Sequence, residues 1–524
     1  MPIIMAAVMA VGVMLGVYIS KTNDIVTASK GGDNLSCIND VFSLIDKEYV
    51  DTVDIKELQV KAVTHVLESM DPHSEYIKPE ILDDVNDNLH GSFDGIGVSF
   101  RIEKDTITII NTIKGGPSEK VGILAGDRIV YVGDSLVAGV KVTNKDAMRL
   151  LKGPKKSKVD VKIKRRGVAE LLDFTIIRDV IPTYSVDVAY MIDENIGFIK
   201  LTKFSQTTHK EFVNAVKKLK SEGMTKLILD LRDNTGGYLG EAVGVVDEML
   251  ADNKLIVYTE GEHRERSYIF SRHRGLWENN DVAILINEGS ASASEIVAGA
   301  LQDNDRGTVI GRRSFGKGLV QEQFDLGENG AIRLTVARYY TPTGRCIQKP
   351  FEGSKEEYLL EEYSRYATGE MFSVDSIHFA DSLKYVTAGG KIVYGGGGIM
   401  PDVYVPLKND STHYFFNKMA NNSILFQYAF DYSDMYRNEI LKYGDVTTFS
   451  EKFVFTDAMF DELMRRTEEK KIQGTEEDKA KARELSEPLF KAYVARNVFG
   501  DEAFYPLYEP LDEILQEAID VLED

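Results

Sequence analysis

Leu227-Ile228-Leu229-Asp230-Leu231 is an apolar run that ends in Arg232-Asp233-Asn234-Thr235-Gly236-Gly237, and Val282-Ala283-Ile284-Leu285-Ile286 ends in Asn287-Glu288-Gly289-Ser290-Ala291-Ser292-Ala293-Ser294-Glu295. Each run reads as a strand. A helical pattern follows each loop, at 239–250 and 294–301. Further strands are expected at 196–200 and 308–310, with a helix at 211–220. Strands alternating with helices predict an α/β core with a largely parallel sheet. Both loops then lie at the carboxyl ends of strands, where open α/β sheets place their sites. Adjacent glycines bare their N–H groups, and a serine entering a helix meets the positive end of its dipole. Together they read as a nucleophile with an oxyanion hole, or as two tight connections that need small residues for packing.

The loop after the 308–310 strand favours the first reading. Gly311-Arg312-Arg313-Ser314-Phe315-Gly316-Lys317-Gly318 has the spacing of a phosphate-binding loop, yet Gly318 stands where magnesium needs a hydroxyl, which argues against a nucleotide. A lysine between glycines suits a different task. Buried beside a serine, it loses its proton and serves as a base. Lowering its pKa from about 10.4 to about 7 costs ~4–5 kcal/mol, so the site must be dry. None of the eight histidines has metal-ligand spacing, and His73 and His209 read as turn and cap residues, so no metal or cofactor is expected. The residues alone do not choose among Ser290, Ser292 and Ser294.

In their order along the chain, these motifs resemble the carboxyl-terminal processing peptidases, also called tail-specific proteases. The likeness runs nearly continuously from Tyr49 to Gln348 and resumes at 395–406. It includes Tyr49-Val50-Asp51, Asp71-Pro72-His73-Ser74, Gly95-Ile96-Gly97, Gly126-Asp127, the two loops above, Phe315-Gly316-Lys317-Gly318 and Tyr340-Thr341-Pro342. The resemblance implies a crotonase-like (ClpP-like) protease core with an inserted PDZ module. It implies Ser292 as nucleophile, since the separation of 25 residues from Lys317 matches the family's, and Lys317 as base. Gln321, one helical turn on, would orient the lysine. The N–H groups of Ala293 and of Gly236 or Gly237, most expectedly Gly237, would form the oxyanion hole. Thr235 departs from the proline that the family commonly carries there.

Outside the core, 88–178 changes to short strands punctuated by glycine, with helices near 117 and at 144–151. As a PDZ domain it would present Gly95, Ile96, Gly97 and Val98 to a free C-terminal carboxylate and pair a strand with the substrate tail. Residues 35–87 read as helices that stop at Asp71-Pro72-His73-Ser74, and 179–406 as the protease core with an insertion at about 350–394. Residues 407–524 read as acidic helices with a solvated charged face, suited to self-association or to an adaptor. Residues 1–20 are almost wholly apolar up to Lys21 and lack a cleavage signal. They read as a membrane anchor or uncleaved signal segment, with the rest on the periplasmic side of a bacterial inner membrane.

The 524-residue chain is 43% hydrophobic, 28% charged and carries a net charge of −21, which fits several globular units and argues against nucleic acid. The two cysteines, Cys37 and Cys346, make no disulfide scaffold. The expected activity is a serine endopeptidase acting on proteins with exposed apolar C-termini. The alternatives are a non-catalytic PDZ scaffold, against which Ser292, Lys317 and Gln321 argue, and a Ser-Lys amidase for small or peptidoglycan substrates, which has no use for a tail reader.

Overall fold

The computed structural model describes residues 36–272, 274–351, 354–408 and 413–524, so the anchor expected at 1–20 lies outside the described residues. The chain divides into two compact units, 1–70 and 71–524. In the first, the described residues form two helices, Ser36–Glu48 and Ile55–Glu68, the second capped by the Asp54 side chain on the Glu57 N–H at 3.1 Å. The helical region expected over 35–87 thus ends earlier as a unit. Asp71 onward packs with the remainder, where Glu75–Ile77 is a strand and Pro79–His90 a helix. Among the described residues no helix is long and apolar enough to cross a membrane.

The second unit is built on a six-stranded sheet in the order Val186–Met191, Ile196–Leu201, Lys226–Asp230, Asp281–Ile286, Thr308–Gly311, Val403–Tyr404. Its first pair is antiparallel and the others parallel. The continuous apolar runs reflect cover on both faces. Leu227 and Leu229 point to helices Thr208–Glu222, Leu239–Asp247 and Ala293–Asp303, whereas Ile228 points the opposite way, against Ile514, Leu515 and Ala518 of the terminal helix Glu513–Glu523. That helix therefore belongs to the core, and it is fastened there by Asp512, which takes both Arg232 amino groups at 2.6 and 2.7 Å. A second, antiparallel sheet places Ala331–Tyr340 between Leu319–Asp325 on one side and Glu75–Ile77 and Leu255–Gly261 on the other.

A separate sheet of Val98–Glu103, Thr106–Thr112, Arg128–Val132, Lys158–Lys164 and Leu172–Ile177 closes over Ile107, Ile109, Ile129 and Ile163. It is joined to the core through the ribbon of Ser92–Gly95 against Asp179–Pro182. The acidic helices from Tyr414 to Phe499 have more than a solvated face. They enclose a core of their own around Phe449, Phe453, Phe455 and Phe490. The expectation from charge alone missed it because the aromatic residues are spread over several helices. Both cysteines are free.

Candidate active site

The parallel sheet delivers its two loops to one place. Ser292 heads the helix Ala293–Asp303 with φ +54° and ψ −111°, a conformation that costs a non-glycine residue of order 1–3 kcal/mol unless its surroundings hold it. Glu295 does so at the spacing of a capping box, its Oε2 accepting the Ser292 N–H at 2.8 Å. The flanking serines are fully buried and committed: Ser290 Oγ donates to the Leu231 carbonyl at 2.8 Å, and Ser294 Oγ to the Asn234 carbonyl at 2.8 Å. Ser292 alone of the three is partly exposed.

Glu295 also binds the lysine loop. Its Oε2 accepts the Lys317 N–H at 2.9 Å, and its Oε1 accepts the Gly316 N–H at 2.7 Å and the Ser314 hydroxyl at 2.5 Å. Ser314 Oγ in turn accepts the Ile399 N–H at 2.6 Å, which points its own proton at Glu295. The Tyr339 hydroxyl meets the carbonyls of the same two residues, Ser292 at 3.0 Å and Lys317 at 2.6 Å. One carboxylate and one phenol therefore hold the backbones of Ser292 and Lys317 from both polar sides. From the insertion, Arg365 donates to the carbonyls of Arg313, Ser314 and Phe315 at 3.2, 2.9 and 3.2 Å and keeps the lysine loop in place.

Burial governs the ionisation of these groups. It pushes the Glu295 carboxyl up to about 7 against the pull of its four donors. Burial, with the nearby Arg333 charge, lowers the Lys317 ammonium, while Glu75, Asp71 and Glu295 act in the opposite sense. Lys317 Nζ donates to Gln321 Oε1 at 2.8 Å. Gln321 is not one helical turn on, as expected. It lies in the strand Leu319–Asp325, just after a register irregularity between Val320 and Gln321. Its Nε2 donates to the His73 carbonyl at 2.7 Å. Burial and then Lys317 lower the His73 ring to about 4, and its Nε2 lies 2.9 Å from the Tyr358 hydroxyl.

The glycine loop closes against the serine. A Cβ on Gly236 would lie 2.8 Å from the Ser292 Cβ, so only glycine fits there. The Gly236 N–H donates to Asn234 Oδ1 at 2.9 Å, which takes it out of the expected oxyanion set. Among the described residues, no hydrogen bond within the chain claims the N–H of Gly237 or Ala293. Sequence reasoning had missed the parts played by Glu295, Tyr339 and the His73 carbonyl. Ser292-x-x-Glu295 was readable as a capping box, but the reach of Glu295 to Lys317 was not.

Gly95, Ile96, Gly97 and Val98 line a groove of about 420 Å³ with Phe93, Met148 and Leu151. Lys152 stands at the same groove, its Nζ 2.7 Å from Asp84 Oδ1 and 3.0 Å from Asp87 Oδ2.

Comparison with known proteins identifies the domains. The pattern of Peptidase family S41 matches residues 195–355, that of the PDZ domain residues 95–176, and that of a family of unknown function residues 415–500. A carboxy-terminal-processing protease of Bartonella bacilliformis is 37% identical over 345 residues, which is 64% of this chain and 78% of that one. The chain belongs to this family. A second relative, the carboxy-terminal processing protease CtpA of Bacillus subtilis, is 32% identical over 340 residues, covering 65% of this chain and 72% of its own. Among solved structures, a photosystem II D1 C-terminal processing protease aligns over 70% of this chain and 87% of its own, at 25% identity and a TM-score of 0.35. As a carboxy-terminal processing protease the chain is a serine peptidase with a PDZ domain.

Proposed function

We propose that this protease cleaves peptide bonds with Ser292 as nucleophile, neutral Lys317 as general base and Gln321 as the group that orients the lysine. The carrying observation is the shared anchorage of the two residues: Glu295 takes both their N–H groups, at 2.8 and 2.9 Å, and Tyr339 meets both their carbonyls. A nucleophile and base so fixed need no reorganisation when the reaction begins. Burial makes the neutral amine accessible, and Gln321 accepts one Nζ–H so that the lone pair is left for the serine proton. Attack yields a tetrahedral oxyanion. The N–H groups of Gly237 and Ala293, which no hydrogen bond among the described residues claims, would receive it.

Substrate selection falls to the PDZ groove. Gly97, with φ +73°, turns the backbone at the groove, and Ile96, Val98, Met148 and Leu151 offer an apolar pocket to the last side chain of a protein tail. The apolar 1–20 segment supports an exported, membrane-anchored enzyme on the periplasmic side. Exposed Tyr414, Met435 and Tyr436 on the helices between Tyr414 and Phe499 would suit docking to a second copy or an adaptor.

The test uses residues 30–524 with an unfolded protein that ends in apolar residues. Ser292→Ala and Lys317→Ala each reduce cleavage by about 10³-fold or more with unchanged circular dichroism. Normal cleavage by either variant refutes the assignment.

A further inference from the structure

The Asp71-Pro72-His73-Ser74 turn lies far from Ser292 and Lys317 in sequence and has no part in the chemistry just described, except for one carbonyl. We infer that Asp71 is a positioning residue for Lys317, acting through the His73 carbonyl and the Gln321 amide; this rests on the reading of Lys317 as the base.

The path is continuous. Asp71 Oδ1 accepts the N–H groups of His73 at 2.8 Å and Ser74 at 2.9 Å, and its Oδ2 accepts the Ser74 hydroxyl at 2.6 Å. These bonds fix the turn and with it the direction of the His73 carbonyl. The turn is moored to the strand Ala331–Tyr340, where the Thr335 N–H donates to Ser74 Oγ at 3.1 Å and Thr335 Oγ1 to Asp71 Oδ1 at 3.2 Å. Thr335 is the register partner of Gln321 across the sheet. The strand therefore carries the turn on one edge and Gln321 on the other.

Gln321 has two ends, and each has one task. An amide free to flip would present either its oxygen or its NH₂ group to the lysine. The His73 carbonyl accepts only a donor, so it takes Nε2 at 2.7 Å and commits Oε1 to Lys317 Nζ at 2.8 Å. A flipped amide would point its NH₂ group at the lysine, opposing the donors of the ammonium or occupying the lone pair of the neutral amine, and would set acceptor against acceptor at the carbonyl. The acceptor that leaves the lysine's lone pair free for serine is thus selected by a backbone group, and Asp71 holds that group. This role belongs to the His73 main chain, while its ring is spent on Tyr358 at 2.9 Å.

The charge of Asp71 has a separate effect. The groups that act on Lys317 are Arg333, which lowers its pKa, and Glu75, Asp71 and Glu295, which raise it, with neutral His73 alongside. Removing the charge while keeping the turn favours the neutral amine.

The experiment compares Asp71→Ala, Asp71→Asn, Gln321→Ala and the double variant Asp71→Ala/Gln321→Ala in the full chain, on a short peptide and across pH. Asp71→Ala is expected to lower kcat by about tenfold with KM within about twofold, and the double variant to fall within about threefold of Gln321→Ala alone, because both losses break one path. Asp71→Asn keeps an acceptor for the turn, so it is expected to restore kcat to within about threefold and to move the acid limb of kcat/KM to lower pH. Multiplicative losses in the double variant overturn the inference, as does an Asp71→Ala enzyme with wild-type kcat. If Asp71→Ala does not fold, the isosteric Asp71→Asn decides: an unmoved acid limb, or a kcat as low as that of Gln321→Ala, also overturns it. Activity retained in Lys317→Ala would instead refute the base assignment itself, whatever Asp71 does.

Discussion

The protease site and the PDZ groove both hold a lysine close to carboxylates, and they use it in opposite ways. At Lys317 the surroundings are closed. Glu295 is fully buried, its two oxygens take four donors, and the ammonium is lowered by burial. At Lys152 the partners are open to water: the Asp84 and Asp87 side chains are 55% and 31% exposed, and their bonds outweigh burial to raise the lysine. Bonds in a dry site are strong and slow to rearrange, whereas bonds at a wet rim exchange with little loss. Chemistry needs the first kind, whereas the second would let a groove lysine leave its internal partners for an arriving tail.

The sharpest way to break this contrast is to open the closed site. Glu295→Gln keeps the shape but turns an NH₂ group toward N–H donors, so kcat/KM is expected to fall by about 30- to 100-fold, the effect of leaving buried donors unpaired. The pH profile carries a second signature. Glu295, pushed up to about 7, must be ionised to accept its four donors, and in the proposed mechanism Lys317 must be neutral to accept the serine proton. Both requirements fail as pH falls, so the acid limb of log kcat/KM should approach a slope of two in the wild type and of one in Glu295→Gln. A slope of one in both would mean that Glu295 does not titrate with the activity.

How much of this was readable beforehand depends on the range of each interaction. The runs 227–231 and 282–286 gave the parallel strands, since two-sided burial leaves a mark in every residue of a strand. The choice of Ser292 over Ser290 and Ser294 came from resemblance, yet its physical reason is three-dimensional: the neighbours' hydroxyls are consumed by the Leu231 and Asn234 carbonyls. A separation of four residues suggests one helical turn between Lys317 and Gln321, and an irregular strand achieves the same reach. The Asp71 turn was legible as a turn but not as a neighbour of Lys317, since only the pairing of Glu75–Ile77 with Ala331–Tyr340 brings them together. The aromatic core of the acidic helices was hidden for the same reason.

A smaller effect is expected on the recognition side. Gly97 sits at φ +73°, and a Cβ there would lie 3.0 Å from Ile181 Cδ1 and 3.2 Å from Pro117 Cδ. Gly97→Ala therefore distorts the turn that faces the tail's carboxylate, at a strain of about 1 kcal/mol or more. Cleavage of a protein with an apolar tail is expected to drop about five- to tenfold, and that of a short peptide without one by less. Equal losses on both substrates would remove the groove from substrate selection.

The smallest expected change tests the open site directly. Replacing both acidic partners, Asp84→Asn with Asp87→Asn, leaves Lys152 unpaired at the groove beside Phe93, whose ring lies 5.1 Å from Nζ. A tail carboxylate would then meet an uncontested charge. Because exposed ion pairs are worth ~0–1 kcal/mol, tail affinity measured by fluorescence anisotropy should tighten by only about two- to fivefold. The gain should shrink as salt is raised, since the contest is between screened charges. An amidated tail, which carries no terminal charge, should show no gain. Weaker binding in the double variant would mean that Asp84 and Asp87 hold Lys152 in the position the tail requires, and the rim would then be as preorganised as the protease site it was contrasted with.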